Sequence, residues 1–477
     1  MESKDGITAK TPFETDSAHV WTIPPGTDFL GALAKTLAAA FDLRNNPAAL
    51  ADALIYVPNR RSARALALAL HKQAGGKTIL PPDIRALGDL ETDEPPSGAE
   101  EALAALGPAL PSAKRLGELA TLVMKFYDIR GLALPPASAI AAAGELGRLL
   151  DSAALAGDVD WEKLPDLVAN TDLAKHWEDS VMFLDIITRQ WPGQLKDNNA
   201  SDPYERRLQV ARAVAAAVEQ KPPNGPFIIA GSTGATPSTR ALMQAAINIP
   251  QGIIVLPGLD RDAPPTMWEE IIERSDIQQS GEPDHPQFSL AGTLRHLGLE
   301  AAKIPLWPDI DADAMADARR RLVHESLAPA SQTADWLERL NEMAAPEDKS
   351  QFASKALSGL TILEAADEAE EALLGALLLR ETLETTGETA ALITPDAGLA
   401  RQVSALLKRW DVHVPPSGGI PLGRTPAGAL VLLALRWAQD TGDPVALAAL
   451  LKHEYLAVDK GDVALLETSY SRRKAMG

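Results

Sequence analysis

Residues 227–260 read FIIAGSTGATPSTRALMQAAINIPQGIIVLPGLD. The opening run Phe227-Ile228-Ile229-Ala230 is short, apolar and β-branched, the pattern of a strand buried on both faces. Small residues follow from Gly231 to Pro237. A helix is expected to start near Ser238, with Thr236 or Ser238 as its cap and Pro237 in the first turn. Its apolar residues Leu242, Met243, Ala246 and Ile247 recur at helical spacing. After Pro250-Gln251-Gly252 the run Ile253-Ile254-Val255-Leu256 predicts a second buried strand. Strand, crossover helix and strand make a right-handed unit of a parallel sheet. In such sheets ligands bind in the loops at the carboxyl ends of the strands.

The totals bound what those loops serve. A chain of 477 residues is long enough for two or three domains. Apolar residues are 46% and charged residues 23%, ordinary for a globular protein. No apolar run reaches the roughly eighteen residues of a membrane span, and MESKDGITAK lacks a basic-then-apolar leader, so the cytoplasm is expected. With no cysteine there is no disulfide, thiolate-held zinc or iron–sulfur cluster within this chain. The net charge of −20 argues against a surface that grips nucleic acid everywhere, but leaves room for a local basic groove.

Working outward, residues 1–17 are a polar tail. His19-Val20-Trp21-Thr22-Ile23 predicts a strand, Pro24-Pro25-Gly26-Thr27 a loop, and residues 28–41 a helix. That is the geometry of a phosphate-binding loop without its chemistry. Two prolines remove N–H donors, and no Gly-Lys-Ser/Thr follows to supply charge and a Mg²⁺ ligand. A structural turn is the reading, with residual nucleotide binding as its alternative. Ala53-Leu54-Ile55-Tyr56-Val57 predicts the next strand, and a helix over 63–71 follows its loop. Asn59, Arg60, Arg61 and Arg64 stand at the mouth of that strand beside a helix N-terminus. This combination suits a phosphate or a nucleic-acid backbone, against a plain solvated basic turn. Gly75-Gly76-Lys77-Thr78 imitates a phosphate loop, but it follows a helix and enters Ile79-Leu80-Pro81-Pro82, so it reads as a helix end.

Residues 91–99 are an acidic, proline-containing loop, and residues 100–220 are helical in pattern. There Trp161, Trp177 and Trp191 read as core anchors rather than base-stacking platforms. Residues 261–308 read as loop-rich, and His285 has no partners at metal-ligand spacing. Arg319-Arg320-Arg321 reads as a solvated helix face. Past a boundary near 344–357, strands are expected at 360–364, 389–393 and 412–414. They alternate with helices at 366–383 and 398–410, the start of a second α/β domain. The end, ETSYSRRKAMG, follows an apolar helix without a closing element, which reads as truncation.

Segments spread through the chain resemble one family in order. They are WTIPPGTDFLGALA, LIYVPNRRSARAL, ILPPDIRALGDL, FIIAGSTGATPSTRALMQA, GIIVLPGLD, HPQFSLAGTLRHLG and LITPDAGLARQVSALLKRWDVHVPPSGGIPLGRTPAG. Together they resemble the AddB subunit of the bacterial AddAB helicase–nuclease, in its alphaproteobacterial form. The resemblance implies two RecA-like parallel-sheet domains of superfamily 1 helicase type. The first would comprise residues 18–99 and 221–350, with a helical insertion at 100–220; the second would begin at 357–477. It also implies a subunit that works with an AddA-type partner on DNA ends and single-stranded DNA in double-strand-break repair by homologous recombination. Pro24, Pro25, Gly26 and Thr27 would stand where an active helicase has its phosphate loop, and Ala230-Gly231-Ser232 where its acidic pair sits. Lysine and carboxylates are absent from both, so no ATP hydrolysis, no cofactor and no metal is expected. Asn59, Arg60, Arg61 and Arg64 would match a motif touching single-stranded DNA. Thr394, Ser417 and Gly418 would face the DNA or an interdomain cleft, although Pro415-Pro416 stand where the family has acidic residues. Family members end in a PD-(D/E)XK nuclease domain that this chain does not contain, so no nuclease residue carries over.

Two other readings stay open. Residues 231–239, from Gly231 to Thr239, could cradle an anion in a nucleotide- or phosphate-binding enzyme. A helical adaptor without a nucleic-acid role would be favoured by Arg60, Arg61 and Arg64 buried in salt bridges.

Overall fold

The computed structural model describes residues 12–13, 19–90, 99–157, 182–274, 279–310, 313–329, 336–344, 348–414 and 417–475. Expectations resting on residues 1–11, Trp161, Trp177 and Pro415-Pro416 lie outside them. The chain divides into two compact units, Met1–Ser358 and Gly359–Gly477.

The first unit is built on one five-stranded parallel sheet. Its strands are β1 (Val20–Ile23), β2 (Leu54–Val57), β3 (Asp83–Ala86), β4 (Phe227–Ala230) and β5 (Gly252–Pro257), in the spatial order β1-β5-β4-β2-β3. Every residue of β1, β2 and β4 is buried. Because side chains alternate across a pleated strand, these apolar runs feed two cores at once. Ile23, Ile55, Val57, Ile228 and Val255 face helices α1 (Phe29–Ala40) and α2 (Arg60–Gln73). Val20, Tyr56, Phe227, Ile229 and Ile254 face α3 (Pro203–Gln220) and α4 (Pro237–Asn248) on the other side. Each such fully buried side chain contributes about 1.5–3 kcal/mol. The open edge of β1 is covered by residues 305–307: the Thr22 amide donates to the Pro305 carbonyl (3.0 Å), and the Trp307 amide to that of Thr22 (2.8 Å).

The stretch 227–260 folds as its sequence predicts. Thr236 caps α4, its hydroxyl accepting from the Thr239 amide at 3.3 Å, with Pro237 in the first turn. β3 was not expected from the sequence. Residues 261–308, expected to be loop-rich, contain helices Pro265–Ile272 and Phe288–Leu297. Helices Ser112–Ile129 and Pro136–Ala156 pack around Trp191 in a core of their own. Its buried tie is Arg115, whose guanidinium reaches Asp202 and Asp151, each at 2.8 Å. Among the described residues no helix is long and apolar enough to cross a membrane.

Among the described residues the expected second RecA-like sheet is absent. Within Gly359–Gly477 the described residues form helices only: Glu368–Thr382, Ala397–Lys408, Pro426–Gln439, Pro444–Leu451 and Lys460–Ala475. The runs at 360–364, 389–393 and 412–414 are not strands; Ile362 is 81% and Ile393 93% exposed. The expectation of two RecA-like domains is therefore overturned: the described residues hold one five-stranded parallel sheet with helices, plus a two-stranded antiparallel pair, Glu273–Arg274 with Gln279–Ser280. Strand propensity is weak by itself, and a strand is held by neighbours that pair its backbone and cover its faces. Those runs have neither.

Candidate nucleic-acid interface

The carboxyl edge of the sheet presents two contrasting mouths. At the first, β2 ends in Pro58 and Asn59. Asn59 caps α2: its side chain accepts from the Ser62 amide at 2.9 Å and from the Ser62 hydroxyl at 3.2 Å. The cap sets Arg60 and Arg61 in the first helical turn, with Arg64 one turn further. All three are exposed, and the first turn contains no acidic residue. Cations at a helix N-terminus oppose the helix dipole, so the arrangement costs local stability. Arg60 recovers some of it from Asp89 at 2.6 Å, while its side chain stays 64% exposed. Among the described residues Arg61 and Arg64 have no ion-pair partner. At Arg61 and Arg64 this local rule is broken with no salt bridge among the described residues to offset it.

Beside this mouth the loops of β2 and β4 leave the sheet toward opposite faces, the switch point where open α/β sheets bind ligands. A cavity of about 220 Å³ lies there, lined by Pro58, Gly88, Ser232, Thr236, Thr239 and Arg207. Three of the amide donors that an anion could use are already bonded within the protein. The Gly231 amide donates to the Val255 carbonyl (2.9 Å), that of Gly234 to the Ser232 hydroxyl (3.2 Å), and that of Thr239 to Thr236. Arg240 turns back onto the Gly234 and Ala235 carbonyls. Gly231 is required at its place: its φ is +78°, and a Cβ would meet Phe29 at 3.3 Å.

The second mouth, at β1 and β5, is roofed. Pro24-Pro25-Gly26-Thr27 turns tightly, with φ of +85° at Gly26, and Asp28 caps α1 through the Gly31 amide at 3.0 Å. Helix α5 (Ala314–Ser326) lies over it, close enough that a Cβ on Gly26 would stand 3.9 Å from that of Ala316. Beneath is a cleft of about 940 Å³ where five aspartates, among them Asp28, Asp313 and Asp317, face three cations, Lys35, Arg261 and Arg320. That balance disfavours phosphate.

Asp260, at the exit of β5, bonds His324 of α5 through the imidazole Nδ1. The bond raises the His324 pKa against the opposing effect of burial. Burial pushes Asp260 up, but the hydrogen bond and charge of His324 outweigh it and hold Asp260 below the ordinary carboxylate range. The Arg triplet expected to be a solvated face is engaged instead. Arg319 donates to the Ala356 carbonyl (2.9 Å), Arg320 pairs with Asp262 and with Asp317 (2.8 Å), and Arg321 donates to the Met343 carbonyl (2.6 Å). The sequence carried a signal for Asp260, which stands at a strand's carboxyl end, but none for its partner far along the chain.

The structure gathers Asn59, Arg60, Arg61 and Arg64 at one helix N-terminus. Thr394, Ser417 and Gly418 belong to the second unit. The Thr394 hydroxyl accepts from the Asp396 amide at 3.0 Å, and Asp396 caps the helix behind it; Ser417 and Gly418 form an exposed turn. Among the described residues no group of three His, Asp or Glu is placed to hold a metal. No family model and no curated protein matches this chain.

Proposed function

We propose that this protein is a DNA-binding scaffold subunit, of the kind its resemblance to AddB implies, with no ATP-hydrolysing site of its own. The carrying observation is the exposed triplet Arg60, Arg61 and Arg64, set against the helix dipole at an open strand mouth of an otherwise acidic chain. Phosphate oxygens are the partners that would relieve that repulsion. The mouth of β1 supports the negative half of the reading: prolines, aspartates and a roof stand where a nucleotide's phosphates would need a lysine and free amides. On this reading the chain joins an AddA-type helicase–nuclease subunit at DNA ends and guides a single strand during recombinational repair. Exposure of the three arginines weighs against the helical-adaptor reading. The Gly231, Gly234 and Thr239 amides, already bonded within the protein, weigh against a phosphate-binding enzyme.

The test is anisotropy of a labelled single-stranded oligonucleotide titrated at several salt concentrations, with the wild-type chain and with Arg60→Ala/Arg61→Ala/Arg64→Ala. The log–log salt slope should fall by about 0.7 for each phosphate no longer neutralised. An unchanged slope removes the arginines from the interface. Steady ATP turnover stimulated by DNA and abolished by changes in the 231–239 loop would favour the enzyme instead.

A further inference from the structure

Helix α5 has a divided allegiance. Its apolar contacts are with its own satellites: Ala318 is buried with Met343, Ala344, Phe352 and Ala356, on helices Trp336–Ala344 and Lys349–Ala356. That small core is separate from the two cores that clothe the sheet. Toward the sheet the helix presents half-exposed Met315 and Val323, which line a cavity of about 450 Å³ instead of packing. What ties it down there is polar. His324 bonds Asp260, and Arg320 pairs with Asp262, both anchors lying just past the end of β5. A third tie runs through the loop before helix Phe288–Leu297. The His285 Nε2 bonds the Leu327 carbonyl at 3.0 Å, while its Nδ1 accepts from the Gln287 amide at 3.1 Å. Gln287 in turn donates to the Gly258 carbonyl (3.0 Å) and accepts from the Asp260 amide (3.2 Å). The ring closes on Asp260.

A body with its own core, joined to a second core across a cleft by a few polar bonds, is built to separate there at less cost than either core needs to open. We infer that α5 and its satellite helices form a lid over the mouth of β1 and β5, and that the Asp260–His324 pair is its catch, engaged while the imidazole is protonated.

The groups facing His324 define the catch. Asp260 and Asp262 approach from the β5 exit, Arg320 and Glu325 lie on its own helix, Arg339 of the satellite helix holds Glu325 at 3.1 Å, and His285, from the loop before helix Phe288–Leu297, lines the same cavity. Glu325 is thereby partly neutralised, leaving Asp260 as the dominant carboxylate. The His324 pKa is raised above its ordinary 6.5, so its share of the closure is complete below that value and is lost as pH climbs through the folded value. The Asp260 pKa is lowered below 3.8, so its share is complete above that and is lost as pH falls through the folded value. The lid is tightest between the two. Arg320 with Asp262 is insensitive to that upper limit and keeps the lid from leaving altogether.

Hydrogen exchange of the full chain, corrected for intrinsic rates, tests this across pH 5.5 to 8.5. Protection of the segment 314–327 should fall by roughly tenfold or more as pH rises, the scale of removing a hydrogen bond to a charged group, while β4 and β5 stay constant. His324→Gln should give a low, flat profile. Arg320→Gln should lower protection but keep the pH step. A flat wild-type profile overturns the catch, and so does a pH step that survives in His324→Gln. Should His324→Gln fail to fold, an NMR titration of the wild-type imidazole decides: a pKa at or below 6.5 refutes the catch. None of these readouts involves DNA, so they stand apart from the binding assay.

Discussion

The mouths of β2 and β1 share one edge of one sheet, and each runs from a buried strand through a short loop into a helix capped by an Asx side chain, Asn59 or Asp28. They part in what surrounds the cap. Around Asn59 stand exposed guanidiniums and open solvent; around Asp28 stand carboxylates and a helix from much later in the chain. Similar local geometry therefore yields an exposed cationic turn in one place and a closed, acidic cleft in the other. Strand–loop–helix supplies a site; charge and cover decide its use.

That contrast predicts that the roofed mouth is built into the fold's stability and the open one is not. Trp307, 1% exposed, donates its indole N–H to the Thr36 hydroxyl at 2.9 Å and packs edge-on against Trp21. Trp307→Ala should cost about 3–5 kcal/mol in urea unfolding, enough to threaten folding. The hydroxyl of Thr22, a fully buried residue, donates to the Leu256 carbonyl (3.0 Å) and accepts from the Leu259 amide (3.3 Å). Thr22→Val keeps the shape but strands that amide, and should cost about 1–3 kcal/mol by the same measurement. At the open mouth, Asn59→Ala removes one helix cap and should cost about 1 kcal/mol, whereas Asn59→Asp should keep the cap and weaken oligonucleotide binding by added negative charge. Smallest of all, the triple Arg60/Arg61/Arg64 alanine variant should move stability by less than about 0.5 kcal/mol while flattening the salt dependence of binding. A large drop in stability in that variant would make the arginines structural and erase the contrast.

A second contrast separates strands that form from runs that only look able to. Phe227–Ala230 and residues 389–393 are both mainly apolar, but only the first has β2 and β5 to pair with and helices on both faces. Conversely Asp83–Ala86 is hard to read as a strand because two prolines precede it and charged residues alternate with Ile84 and Ala86. That is the pattern of an edge strand with one wet face, identified only once β2 is seen beside it. The site divides in the same way. Asn59 and its arginines lie within six residues and announce themselves; Asp260 and His324 are each unremarkable alone.

By itself the sequence determined the local pieces: which apolar runs are rigid enough to be central strands, where caps start helices, and where charge gathers within one turn. These depend on neighbours a few residues away. Tertiary structure decided that one parallel sheet forms where two were expected, that β3 joins its edge, and that α5 closes one mouth through Asp260 and Asp262. Those outcomes depend on backbone partners and buried charges brought together across dozens to hundreds of residues, and no periodicity encodes that proximity.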